Sequence, residues 1–254
     1  MFSFWSVPNQ AHGIKASCRS GLISLFFPEK CPFCQSLLSI QGKEIPGVCP
    51  DCEKDIQWIM PPLCPRCGRL YPRGATTHHC ADCLQKKLFF DWARAAVIYQ
   101  GVIAEAIQRF KYQGDIKLAD PLGWFWNKTN LEDHSFEAII PVPLHPNRLR
   151  ERGFNQALLL GKILGKLHNK KVLARALRRI RNTIPQVQLD HAERARNVRG
   201  AFVVREQQEI MDKCLLLVDD VFTTGATVNE CARVLKKSGA KEVFVLTLAR
   251  VGAE

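Results

Sequence analysis

No stretch of this 254-residue sequence approaches eighteen consecutive apolar residues, so a membrane-spanning helix is not expected. The first thirty residues lack a basic start followed by a sustained apolar core, which argues against a secretory leader. Acidic residues run short in one place. Between Pro141 and Ile210 there are 15 Lys and Arg against 5 Asp and Glu, so most of the formal net charge of +12 sits there. Aromatic residues are scarce in the same block, with only Phe154 and Phe202, so a platform for stacking unpaired bases is not signalled. The block favours an anionic ligand more than it favours nucleic acid.

Cysteine, by contrast, is abundant. Eight of the 11 cysteines fall in four Cys-x-x-Cys pairs: Cys31/Cys34, Cys49/Cys52, Cys64/Cys67 and Cys80/Cys83. Each pair can present two thiolates from one knuckle, so four pairs supply two closed tetrahedral zinc sites. A disulfide framework would need an oxidising compartment, which nothing at the start of the sequence supports. The simplest arrangement is sequential. Cys31, Cys34, Cys49 and Cys52 would hold one ion, and Cys64, Cys67, Cys80 and Cys83 the other; crossed pairing stays open. His78 and His79 adjoin a ligand but are expected to be exposed. Residues 29–85 are rich in loops and proline, too poor in core to fold without the metal.

From Phe89 onward the pattern becomes regular α/β. Strands are expected at 94–99, 138–142, 172–173, 201–204, 215–218 and 243–249, and helices at 102–112, 118–126, 154–168 and 226–238. A short amphipathic helix is expected at 17–27. Residues 178–199 read as a long mobile polar loop with room for a helical turn, whose Arg178, Arg179 and Arg181 could close over a site. Alternating strands and helices imply a mostly parallel, doubly wound sheet, with ligands beyond the strands' carboxyl ends.

Two segments meet at that end. Leu215-Leu216-Leu217-Val218 runs into Asp219-Asp220 and then Thr223-Thr224-Gly225-Ala226-Thr227, the order of a strand, an acidic tip, a hydroxyl-rich turn and a helix start. Amides at a helix N-terminus together with Thr hydroxyls make a phosphate cradle, and paired carboxylates hold sugar hydroxyls directly or through a divalent cation. A ligand of the ribose 5-phosphate type is implied. The second segment, Pro141 to Ala157, places Arg148, Arg150 and Arg152 at every second position. In an extended loop they would point to one side and grip pyrophosphate. No side chain announces itself as a general base; His145 is a candidate only by position.

Residues 214–227 closely resemble the phosphoribosyl pyrophosphate (PRPP) signature of type I phosphoribosyltransferases. By that resemblance Asp219 and Asp220 hold the ribose hydroxyls, and Thr223, Thr224, Gly225, Ala226 and Thr227 wrap the 5-phosphate. The zinc knuckles, Phe110-Lys111-Tyr112-x-Gly114, the Pro-Val-Pro-Leu-His-Pro…Arg-Gly-Phe-Asn-Gln segment, Thr183-x-x-Gln186-x-x-Leu189 and Arg196-Asn197-x-x-Gly200-Ala201-Phe202 extend the likeness. Together they resemble the ComF/GntX family over nearly the whole chain. That resemblance implies a double zinc ribbon at 26–88 and a type I phosphoribosyltransferase-like α/β domain at 89–254. It also implies two structural Zn²⁺ ions and PRPP with Mg²⁺. The expected setting is cytoplasmic action in natural competence or DNA utilisation, with single-stranded DNA and uptake or recombination proteins as partners. The alternative it leaves is an active Mg²⁺-dependent phosphoribosyltransferase of nucleotide metabolism, similar to the amidophosphoribosyltransferases.

Overall fold

The computed structural model describes residues 28–42, 44–129, 131, 134–183 and 191–252. The helix expected at 17–27, Gln186 and Leu189 lie outside them. Seven strands follow in chain order: β1 (Trp92–Ile98), β2 (Ala138–Pro141), β3 (Lys171–Val172), β4 (Leu177–Arg179), β5 (Phe202–Val204), β6 (Cys214–Phe222) and β7 (Glu242–Arg250). The helices are α1 (Pro50–Asp55), α2 (Ala81–Gln85), α3 (Gly101–Tyr112), α4 (Ala119–Gly123), α5 (Pro146–Arg152), α6 (Gln156–His168), α7 (His191–Val198) and α8 (Ala226–Lys237).

Five strands form a wholly parallel sheet in the order β1-β7-β6-β2-β3. The apolar run of β6 explains its central place. Leu216 and Val218 pack into one buried cluster with α3, α4 and α6, while Leu215 and Leu217 pack into another with α8. A strand covered on both faces has no use for a polar side, which is why its sequence does not alternate.

Three expectations are corrected. Residues 201–204 do form a strand, but β5 pairs antiparallel with β4 in a separate hairpin, not with the main sheet. The polar stretch 178–199 is accordingly not loop at its start, which lies within β4; the helical turn expected in it is α7. Buried Leu177 and Phe202 anchor that hairpin, and the arginines between conceal it in the sequence. Residues 118–126 make no single helix, but a 3₁₀ turn, α4 and a second 3₁₀ turn. Pro121 and Gly123 lie within that span, and both weaken a continuous helix.

The cysteine-rich segment docks on the sheet's edge. Ile59 N–H donates to the Ala96 carbonyl at 3.0 Å, and Ile98 N–H donates to that of Gln57 at 2.8 Å. This antiparallel seal covers β1, whose unpaired edge would otherwise be open to other chains. Asp55 Oδ2 accepts the Val102 amide at 2.8 Å, so the ribbon also caps the start of α3. Cys31, Phe33, Ile45, Val48, Cys52 and Ile56 share a buried cluster with α3 and the sheet. No helix among the described residues is long and apolar enough to cross a membrane.

Candidate anion-binding cleft and zinc centres

The eight paired cysteines gather into two groups in the sequential arrangement, Cys31, Cys34, Cys49 and Cys52, and Cys64, Cys67, Cys80 and Cys83. Within each group every sulfur lies within 4.8 Å of the others. Cys34 and Cys49 are 3.7 Å apart, Cys64 and Cys83 3.7 Å, and Cys67 and Cys80 3.6 Å. A tetrahedron with ordinary Zn–S bonds has edges of about 3.8 Å, so both groups fit Zn²⁺. Backbone amides add a supporting layer: Cys49 N–H points at the Cys31 sulfur (3.5 Å) and Cys80 N–H at that of Cys64 (3.4 Å). Four thiolates leave no open coordination position, so both centres are structural. His78 and His79 are exposed and belong to neither group.

The cleft, about 280 Å³, opens at the carboxyl ends of β1, β2 and β6. On one side is the turn 223–225 leading into α8. Gly225 caps that helix at φ +76°, and a methyl group there would come within 2.5 Å of the Phe222 ring, so only glycine fits on both counts. Thr224 Oγ1 accepts the Ala226 amide at 3.3 Å. Thr223, Gly225, Ala226 and Thr227 line the cleft.

Asp219 and Asp220 line it too, but not from beyond the strand. β6 continues through Phe222, pairing Asp219 with Thr247 and Phe222 with Arg250, because β7 supplies ladder partners that far. Successive strand residues face opposite ways. Asp220 meets α3, where Lys111 Nζ lies 2.8 Å from its Oδ1. Burial pulls the Lys111 ammonium down, but the attraction of Asp220 outweighs it and holds the group above the usual lysine range. Asp219 Oδ1 accepts the Asp220 amide at 2.9 Å. Burial, with the Asp220 charge beside it, pushes the Asp219 carboxyl up to about 7 against the opposing pull of Lys111 and Arg179.

The second basic segment is a helix, not an extended loop. Pro146 starts α5 at a position where a missing N–H costs nothing, and His145 Nδ1 accepts the Asn147 amide at 3.3 Å. Helical spacing separates the three arginines. Arg148 and Arg152, one turn apart, line the cleft; Arg150 does not, and bonds Asn147 Oδ1 at 3.3 Å on the exposed side. The Gly-Phe-Asn-Gln run then sets Arg152. Gly153 ends α5 in the left-handed region, Phe154 packs on Phe110 with centroids 5.4 Å apart, and Asn155 caps α6 while its Nδ2 bonds the Val142 carbonyl at 3.1 Å. Buried Gln156 donates to the Phe110 carbonyl at 3.4 Å and accepts from Arg152 Nη1 at 3.2 Å.

Sequence reasoning missed Lys111 and Gln156 as parts of this site. A signal for Lys111 exists: it falls one turn after Ile107 and two after Ile103, on the buried stripe of α3. From the hairpin side Arg179 reaches the cleft, whereas Arg181 turns to the Asn197 and Arg199 carbonyls. Four cations thus share a cleft with two carboxylates, a balance suited to a polyanion that also carries hydroxyls.

Residues 22–84 match the family described as Double zinc ribbon domain, and residues 158–254 the Phosphoribosyl transferase domain. The chain is 33% identical over 234 residues to Competence protein F of Haemophilus influenzae, covering 89% of this chain and 98% of that one. It is 28% identical to Competence protein ComFC of Bacillus subtilis, over 80% and 84% of the two chains. To DNA utilization protein YhgH of Escherichia coli it is 30% identical, over 89% and 99%.

Proposed function

We propose that this chain, which belongs to the ComF family of double-zinc-ribbon proteins with a phosphoribosyltransferase domain, binds PRPP in the service of DNA uptake or utilisation. The observation that carries the reading is the joint placement, in one cleft, of the glycine-capped start of α8, the Asp219–Asp220 pair and the cations Lys111, Arg148, Arg152 and Arg179. The turn 223–227 would take the 5-phosphate, the acids the ribose hydroxyls, and Arg148 and Arg152 the diphosphate. Arg150 drops out of the expected set.

Mg²⁺ would reach the cleft on the diphosphate, where it neutralises phosphate charge. Asp220 already carries Lys111 on Oδ1, and Asp219 Oδ1 takes a backbone amide, so the acid pair offers that ion few free oxygens. The relatives' names supply the setting in DNA metabolism, and the basic stretch 141–210 suits contact with DNA or partner proteins. Calorimetric titration with PRPP, with and without Mg²⁺, tests the reading; absence of heat under both conditions would sink it. A DNA contact predicts affinity falling steeply with salt, and a flat response would count against it.

Turnover is a second reading, favoured by the same mixture of charges. Displacement of pyrophosphate at the anomeric carbon builds positive charge on the sugar and negative charge on the leaving group, and the cleft holds groups opposed to each. Release of pyrophosphate from PRPP with a nucleobase or ammonia, abolished by Asp220→Asn, would support it. Silence with every acceptor despite PRPP binding would leave a binding module.

A further inference from the structure

The second zinc centre and the turn at the start of α8 share a wall, and one arginine builds it. Arg250, at the end of β7, is buried. Its Nη1 donates to the carbonyl of Cys67 at 2.6 Å, so its head is fastened to a zinc knuckle. The same guanidinium lies 4.4 Å from the centroid of the Phe222 ring. That ring is held edge-to-face by Phe90 at 6.2 Å, and it is the surface against which Gly225 rests. Phe90 is itself tied to the knuckle: Arg66, between Cys64 and Cys67, donates to the Leu88 carbonyl at 3.0 Å and to that of Phe90 at 3.3 Å.

We infer that Arg250 is a positioning residue for the phosphate-binding turn. Through Phe222 it sets the height of Gly225 and the aim of the first amides of α8, making the Cys64–Cys67–Cys80–Cys83 centre part of the anion site. The inference rests on the reading that the turn 223–227 takes the ligand's 5-phosphate. The chemistry requires arginine. A planar guanidinium can stack on a ring and donate in its own plane at once, which an ammonium cannot do. The turn has no second means of correction, since backbone amides at a helix start cannot re-aim without moving the helix.

The test uses the full chain with zinc bound, and two probes in separate calorimetric titrations: ribose 5-phosphate for the turn, and pyrophosphate for Arg148 and Arg152. Binding of ribose 5-phosphate by the unaltered protein checks the underlying reading; if it does not bind, that reading fails before Arg250 is in question. Given binding, Arg250→Met should weaken ribose 5-phosphate by about tenfold or more while pyrophosphate changes by less than about twofold. Arg250→Lys should fall between, because it keeps a cation on the ring. Zinc content should remain two per chain in both variants. Unchanged ribose 5-phosphate affinity in Arg250→Met, or equal weakening of both probes, would overturn the inference. Should that variant not fold, Phe222→Leu keeps an apolar floor without the ring, and the same split between probes decides.

Discussion

Lys111 Nζ sits 2.8 Å from Asp220 Oδ1, joining the last turn of α3 to the end of β6. Both side chains are mostly covered, so neither partner can turn to water if the other is removed. Lys111→Met should therefore cost about 3 kcal/mol of stability, the penalty of an orphaned buried charge. Urea unfolding checks the stability, and the same variant should bind PRPP more weakly because the cleft loses a cation.

Asp219 gives the fold a pH dependence. Its carboxyl rises from 3.8 to about 7 on folding. Between those values the native state holds a proton that the unfolded chain has lost, so stability falls as pH rises through this window. Asp219→Asn removes that loss. The variant should be more stable than the parent by about 2 kcal/mol at about pH 8, and the gain should vanish near pH 4. Urea midpoints at the two pH values decide it.

Gly225→Ala should be damaging in two ways, since φ is +76° and the new methyl would meet the Phe222 ring. We expect a loss of about 2 kcal/mol or more in stability and no measurable ribose 5-phosphate binding. Thermal unfolding and calorimetry read the two effects.

Gln156→Leu would leave the Phe110 carbonyl without its donor and Arg152 without its acceptor. The expected cost is about 1–3 kcal/mol, with weaker pyrophosphate binding because Arg152 is no longer held. Native stability together with undiminished pyrophosphate affinity would contradict this.

Chelation of zinc should undo more than the ribbon. The seal of 57–59 over β1 goes with it, exposing a strand edge that favours aggregation. Light scattering after chelator addition, compared with a zinc-supplemented control, makes the comparison.

The sequence carried the main lines of this structure unevenly, and the reasons are physical. The buried strands and the two cysteine tetrads were legible because a strand covered on both faces must be apolar and a zinc knuckle has fixed spacing. The turn 223–225 was legible because only glycine accepts the backbone at Gly225. Arg148, Arg150 and Arg152 misled because Pro146 ends some elements and begins others; here His145 caps a helix, and helical spacing sends Arg150 away from its neighbours. The strand at 201–204 was legible, but its partner β4 was not, since Leu177 is followed by two arginines and reads as polar; without β4 the antiparallel pairing had no second strand. Lys111 was legible as part of the Phe110-Lys111-Tyr112-x-Gly114 motif but not as a cleft residue, because its partner Asp220 lies far off in sequence; its place on the α3 stripe was the local signal.

The strand order has a consequence for how the protein comes into being. β7 follows the other strands in sequence yet lies between β1 and β6. While the chain emerges from the ribosome, the ribbon and β1 can settle early, but the strand that joins them to the β6 half arrives last. A message that stops before β7 would therefore not yield a trimmed protein. It would release two half-sheets with nothing to bridge them.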